Sequence, residues 1–162
     1  MFPDVETPLT LNGQPLERTP GSIFTTYSTP PQPAQNAAVS VRELAAEGDS
    51  RQWEIAVGME AMPQLNDLFL QIEFEGDVAQ LFLDNTPVAD WFYDGRTWEI
   101  GLRRFADRLR VQPFRLNITP LSAQQEIYFD LPPTFRNGRA LALKSVAVVP
   151  QYAVSFVITK PQ

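Results

Sequence analysis

Apolar and polar residues alternate along many short segments of this chain. In the clearest segment, 68–75, every second residue is apolar: Leu68, Leu70, Ile72 and Phe74. A period of two predicts β-strands with one buried face. The same alternation predicts strands over residues 52–57, 114–119, 127–131 and 154–158. Segments 78–83 and 141–149 are more continuously apolar, which is typical of strands covered on both faces.

Proline placement favours the same fold class. The chain has fifteen prolines against eight glycines, and proline suits strand ends, sheet edges and turns rather than helix interiors. Only Leu102, Phe105 and Leu109 have helical spacing, so one short helix or turn is expected within 98–109. Residues 30–36 read as an exposed loop. We therefore predict an all-β, mostly antiparallel β-sandwich or jelly roll with at most one short helix.

Length and composition favour one domain. A chain of 162 residues buries roughly 70% of its unfolded surface, and neither an internal repeat nor a shift in composition marks a boundary. We predict a single β-sandwich domain over residues 1–162, with a proline-rich N-terminal segment at 1–21.

Charge and missing residue types exclude several functions. A net charge of −6 and a pI near 4.6 argue against a nucleic-acid partner, which needs a basic face. Without histidine or cysteine there is no imidazole triad, thiol nucleophile, zinc finger or disulfide. No apolar run approaches the ~20 residues of a membrane span, and the first residues do not resemble a signal peptide. The residues alone leave the compartment open.

The segment 76–102 combines a hairpin pattern, two tryptophans and an Asp-Gly turn. Stacking on a sugar needs a flat aromatic face and a few fixed polar groups. The candidate carbohydrate-binding residues are Trp91, Tyr93, Asp90, Asp94 and Arg96. Because large aromatic residues more often belong to a core, the alternative is a packed corner.

Catalysis and metal binding have weaker signals. The chain has nineteen acidic residues, and Asp90 with Asp94 is the most tempting carboxylate pair for glycoside hydrolysis. Aspartates beside glycine or asparagine are more simply turn residues, so we assign no catalytic residue and expect no enzyme. No cofactor is expected, although a structural calcium ion is a weaker possibility, with five candidate oxygen ligands: Asp77, Asp84, Asp90, Asp94 and Asp130.

Three blocks, 67–102, 116–133 and 143–152, resemble in order and approximate spacing the C-terminal jelly-roll region of glycoside hydrolase family 35 β-galactosidases. The run from the first block to the last, 67–152, spans about half of the chain. The resemblance implies a galactose-binding-like β-sandwich appended to a (β/α)₈ catalytic barrel. This chain lacks the length and the strand-helix alternation of a barrel.

The resemblance therefore implies an accessory module. It would either bind carbohydrate, such as a galactoside or a plant or host glycan, or hold the catalytic barrel or a partner subunit without binding sugar. The family's secreted members imply an extracellular or periplasmic location.

Two positions depart from the family pattern. Trp91 replaces a small polar residue, and Thr97 replaces a proline before the second tryptophan. A position that tolerates a polar side chain is expected to be exposed, which makes Trp91 a better platform than Trp98 or Trp53. Trp98 is expected to pack beneath the turn.

Overall fold

A computed structural model describes residues 9–11, 14–22, 25–29, 37–46, 48–153 and 157–158. The strands are β1 (Leu9–Leu11), β2 (Gln14–Pro15), β3 (Glu17–Pro20), β4 (Thr25–Ser28), β5 (Val39–Glu43), β6 (Arg51–Val57), β7 (Asp67–Glu75), β8 (Val78–Leu83), β9 (Thr86–Phe92), β10 (Trp98–Gly101), β11 (Phe114–Ile118), β12 (Leu121–Ser122), β13 (Arg139–Ala140), β14 (Ala142–Gln151) and β15 (Val157–Ile158). One α-helix, α1 (Ala106–Leu109), follows a 3₁₀ turn at Arg103–Phe105, and a second 3₁₀ turn spans Met62–Gln64.

The chain divides into two compact units. The first comprises residues 1–34 and 152–162, and its described strands form a small antiparallel sheet in the order β15-β1-β2 and a β3-β4 pair. The second comprises residues 35–151 and contains the larger sheets. The single domain over 1–162 stays a prediction.

A five-stranded sheet in the second unit has the order β5-β6-β11-β8-β9. Each neighbouring pair is antiparallel. One face carries the apolar members of the alternating patterns, including Ile55, Leu81 and Leu116, and all three are fully buried. The apolar residues of the period-two pattern therefore lie on the one face of this sheet that forms part of the core.

A three-stranded antiparallel sheet, β10-β7-β14, supplies the opposing layer. Its central strand β7 buries Leu68, Leu70 and Ile72 completely. Complete burial stabilises the fold by roughly 1.5–3 kcal/mol for each such side chain. With the five-stranded sheet it forms an all-β sandwich, which confirms the predicted fold class.

Several predicted elements are confirmed, and two of the prolines lie in strands at the edges of their sheets. Strands lie at 52–57, 68–75 and 114–118, and the helical spacing of Phe105 and Leu109 corresponds to the 3₁₀ turn and α1. Pro87 lies in β9 and Pro150 in β14, which are edge strands of their sheets. An edge tolerates proline because one side of the strand needs no ladder donor.

Some expectations need correction, and others fall outside the described residues. Residues 127–131 form no strand, although they alternate. Strand β14 is not covered on both faces, because it is an edge strand with alternating exposed residues, and β8 is fully buried on one face only. The expected loop 30–36 and residues 154–156 lie outside the described residues.

The described residues include no helix with the length and apolar character needed to cross a membrane.

Candidate functional site

The hairpin within 76–102 closes at a different turn from the Asp-Gly pair. Strands β8 and β9 are joined by Asp84 and Asn85, and Asp84 has a left-handed φ of +54°. Aspartate is among the few residues that adopt this conformation readily. Asp94 and Gly95 instead connect β9, in the five-stranded sheet, to β10, in the three-stranded sheet. We call residues 93–97 the corner turn, because the chain changes sheets there.

Trp91 is exposed at the edge of the sandwich. It lies opposite Ala79 in the β8-β9 ladder, and Ala79 is fully buried. Residues directly opposite each other share a face, so Trp91 extends the core face of the sheet at its edge strand. Its side chain is 39% exposed, whereas Trp98 and Trp53 are 3% and 6% exposed. Trp91 is therefore the tryptophan available to a ligand.

Asp90 lies on the other face of β9. It is opposite Gln80 and exposed, and Phe92, on the same face, is 69% exposed. The strand therefore separates the Asp90 carboxylate from the Trp91 ring, and the structure does not bring these two candidates together.

Asp94 organises the corner turn. Its Oδ1 accepts a hydrogen bond from the backbone N–H of Arg96 at 2.9 Å and another from the Trp91 indole Nε1–H at 3.3 Å. The first is the local bond by which aspartate stabilises turns. Gly95 adopts φ +81°, which only glycine tolerates easily. The second bond attaches the exposed indole to the turn.

Tyr93 is committed to packing. Its ring makes edge contacts with Phe74 and Phe129 at centroid distances of 5.9 and 5.7 Å. Its hydroxyl donates a hydrogen bond to the Leu131 carbonyl at 3.1 Å. Partial burial, followed by the negative charges of Glu75 and Asp94, raises the pKa of Tyr93. Tyr93 therefore anchors segment 127–131 to the corner turn.

A cavity of about 290 Å³ lies between these two parts of the chain. We call it the corner cavity. It is lined by Tyr93, Asp94 and Arg96 from the corner turn and by residues 127–130. Tyr128 is 88% exposed there, the most exposed large apolar or aromatic side chain described. The sequence did not single it out, because its alternating neighbours predicted a strand.

The polar groups of the corner cavity differ in availability. Among the described residues, none forms a hydrogen bond or ion pair with the Arg96 guanidinium, although the backbone N–H of Arg96 is bonded. Asp130 is exposed on the opposite wall. The cavity therefore offers two carboxylates, an exposed aromatic ring and a guanidinium that no described residue binds.

The five aspartates proposed for calcium do not form a site. Within the described ranges, no group of three or more acidic side chains comes together to hold a metal ion. Asp84 instead accepts a hydrogen bond from Gln112 at 3.1 Å and lies 3.5 Å from the Arg108 guanidinium. That carboxylate fastens the β8-β9 turn to the chain following α1.

Comparison with known proteins adds no family. No family model matches the chain, and neither a curated protein nor a solved structure matches it. What the fold and the corner cavity define is therefore the class alone: an all-β sandwich with an exposed aromatic and charged corner.

Proposed function

We propose that this chain is a non-catalytic, carbohydrate-binding β-sandwich module and that the corner cavity is its binding site. The observation that carries this proposal is that one cavity is lined both by the exposed Tyr128 ring and by the Arg96 guanidinium, which has no partner among the described residues. A pyranose needs this combination, because its apolar face stacks on an aromatic ring while its hydroxyls need donors and acceptors.

Each wall of the cavity has a separate role in this proposal. Tyr128 stacks on the sugar, and Trp91 extends the aromatic surface at the sheet edge. Arg96 donates hydrogen bonds to hydroxyls, and Asp94 accepts them through Oδ2, which accepts none from the described residues. Asp130 supplies a further acceptor. Tyr93 positions the site, and Asp90 lies on the other face of β9.

The wider setting rests on the resemblance to family 35 β-galactosidases. On that basis the module accompanies a catalytic barrel, acts outside the cytoplasm, in an extracellular or periplasmic location, and binds a galactoside or a plant or host glycan. The catalytic carboxylates then belong to the barrel.

A glycan array followed by calorimetry tests the proposal. We expect Tyr128→Ala to weaken binding of the best glycan about fivefold, because a lost aromatic stack is worth on the order of 1 kcal/mol. Trp91→Ala is expected to lower the affinity for the same glycan by a smaller factor. Phe92→Ala is the matched control, since Phe92 is an exposed aromatic residue on the opposite face of β9.

Two results would contradict the proposal in different ways. Equal affinities of wild type and Tyr128→Ala would refute the site. An absence of binding to every glycan by the folded wild-type protein would refute the function.

A structural role is the second candidate, and a specific observation favours it. Four exposed apolar or aromatic side chains surround the same corner: Trp91, Ile127, Tyr128 and Leu131. Grouped apolar exposure is typical of protein interfaces. In that case the corner packs against a catalytic barrel or a partner subunit. Self-association in sedimentation that Tyr128→Ala abolishes, without glycan binding, would support this role.

A further inference from the structure

A second cavity, of about 480 Å³, shares no lining residue with the corner cavity. We call it the charged cavity. Its volume lies within the range typical of small-ligand sites. Ion pairs line it at N–O distances of 3.7, 3.1 and 3.1 Å: Arg51–Glu43, Arg139–Asp49 and Lys144–Glu75.

One further cation in this cavity has no counterion in the part of the chain that the structure describes. Arg136 lines the cavity, and its guanidinium forms no hydrogen bond or ion pair with any residue that the structure describes. Each of the three carboxylates already has its own cation. The charged cavity therefore has a surplus positive charge in a protein whose net charge is −6.

A tight hairpin places Arg136 beside a second arginine. The backbone N–H of Arg136 donates to the Arg139 carbonyl at 2.8 Å, and the reverse bond measures 3.1 Å. Between them, Asn137 and Gly138 have φ of +50° and +76°, as a two-residue type I′ turn requires. We call residues 136–139 the arginine hairpin.

This geometry holds two like charges directly opposite each other. Such a pair is destabilising unless an anion neutralises it. Among the described residues, Asp49 is the only one whose carboxylate contacts the arginine hairpin, and its contact is with Arg139. That ion pair is well exposed on both sides, so it is weak and readily exchanged.

We propose that the charged cavity binds an oxyanion group, a carboxylate, sulfate or phosphate, between the guanidinium groups of Arg136 and Arg139. The planar fork of arginine matches two oxygens of such a group with parallel hydrogen bonds. The remaining cavity volume accommodates the body of the ligand. The site is independent of the corner cavity and of glycan binding there.

Anion titrations followed by NMR test the site. Sodium sulfate, sodium phosphate and sodium acetate are added at constant ionic strength, balanced with chloride, while the amide signals of residues 136–139 are recorded. We expect saturable shifts at the arginine hairpin, and the three probes rank the oxyanion types. An absence of saturable shifts with all three would overturn the proposal.

Arginine variants assign the contact. Arg136→Gln is expected to lower the affinity for the best probe about tenfold or more, because the variant loses a charged hydrogen bond. Arg136→Lys keeps the charge but lacks the planar fork, so its affinity for the probe is expected to lie between those of the wild type and Arg136→Gln. Arg104→Gln is the matched control, because Arg104 is exposed and stacks on Phe105 away from the cavity. Equal losses in Arg136→Gln and Arg104→Gln would overturn the assignment.

A gain of affinity is the sharper test. Asp49→Asn releases Arg139 from its ion pair and is expected to raise the affinity for the best probe about two- to fivefold. This factor corresponds to the free energy of an exposed ion pair. Asp107→Asn changes the net charge equally and removes the exposed Arg110 pair instead. If Asp49→Asn raised the affinity no more than Asp107→Asn does, or lowered it, the result would contradict the proposed role of Arg139.

Discussion

Replacing Gly95 by alanine tests how the corner turn is held against segment 127–131. Gly95 has φ +81°, a conformation that costs an L-residue about 1–2 kcal/mol. A Cβ at this position would also overlap the Leu131 Cβ and lie 3.1 Å from both the Leu131 Cδ1 and its carbonyl oxygen. Since backbone is involved, the clash is relieved only if the segment moves.

The magnitude follows from these two costs. Forcing extra volume into a packed contact typically costs about 1–3 kcal/mol, so Gly95→Ala is expected to lower the free energy of unfolding by about 2–5 kcal/mol in total. Urea unfolding followed by tryptophan fluorescence measures this value.

Two other glycines separate the costs. Gly48 and Gly138 have φ of +61° and +76°, and a Cβ at either would meet nothing within 4 Å. Their alanine variants therefore carry the backbone cost alone, about 1–2 kcal/mol. A Gly95→Ala variant that loses no more stability than Gly48→Ala and Gly138→Ala would refute the close packing of the corner turn on Leu131.

Two further predictions concern the core and pH. Trp98→Ala is expected to lower the free energy of unfolding by about 3–5 kcal/mol, because the side chain is buried, whereas Trp91→Ala is expected to cost at most about 1–2 kcal/mol; equal losses in urea unfolding would contradict the assigned exposures. Burial raises the pKa of Glu75, but hydrogen bonds from Lys144 and Thr134 and the Lys144 charge outweigh it, so the net pKa is lowered. The contacts of the Glu75 carboxylate therefore stabilise the folded protein above the unfolded glutamate pKa of about 4.3. This contribution to the free energy of unfolding is lost as the pH falls through the folded pKa. Lys144→Gln is expected to reduce this acid-dependent loss in urea unfolding measured across pH, and an unchanged profile would contradict the role of that contact.

Local sequence was a good guide to the strands of the sandwich. The alternation over 68–75 placed Leu68, Leu70 and Ile72 on one face, and the structure buries all three. Side chains in a strand point to alternate faces whatever the partner strand is. The same rule explains why Trp91 and Asp90 lie on opposite faces of β9, as the register with β8 shows.

Alternation alone was wrong at 127–131. Ile127, Phe129 and Leu131 have the spacing of a strand but no strand partner in the structure. The segment instead attaches to the corner turn through Tyr93. A strand exists only if another strand accepts its backbone hydrogen bonds, and this depends on residues distant in sequence. Tyr128 was missed for that reason.

The sequence by itself determined the all-β class and the apolar side of the main strands, because both follow from near-neighbour periodicity and proline placement. It also placed Asp94 and Gly95 in a turn. Only the tertiary structure decided that this turn passes between two sheets, that Tyr93 packs inward while Tyr128 is exposed, and that Arg136 and Arg139 share a cavity. These features depend on register and sheet packing, which bring together residues as far apart in the chain as Glu43 and Lys144, beyond the reach of any local pattern.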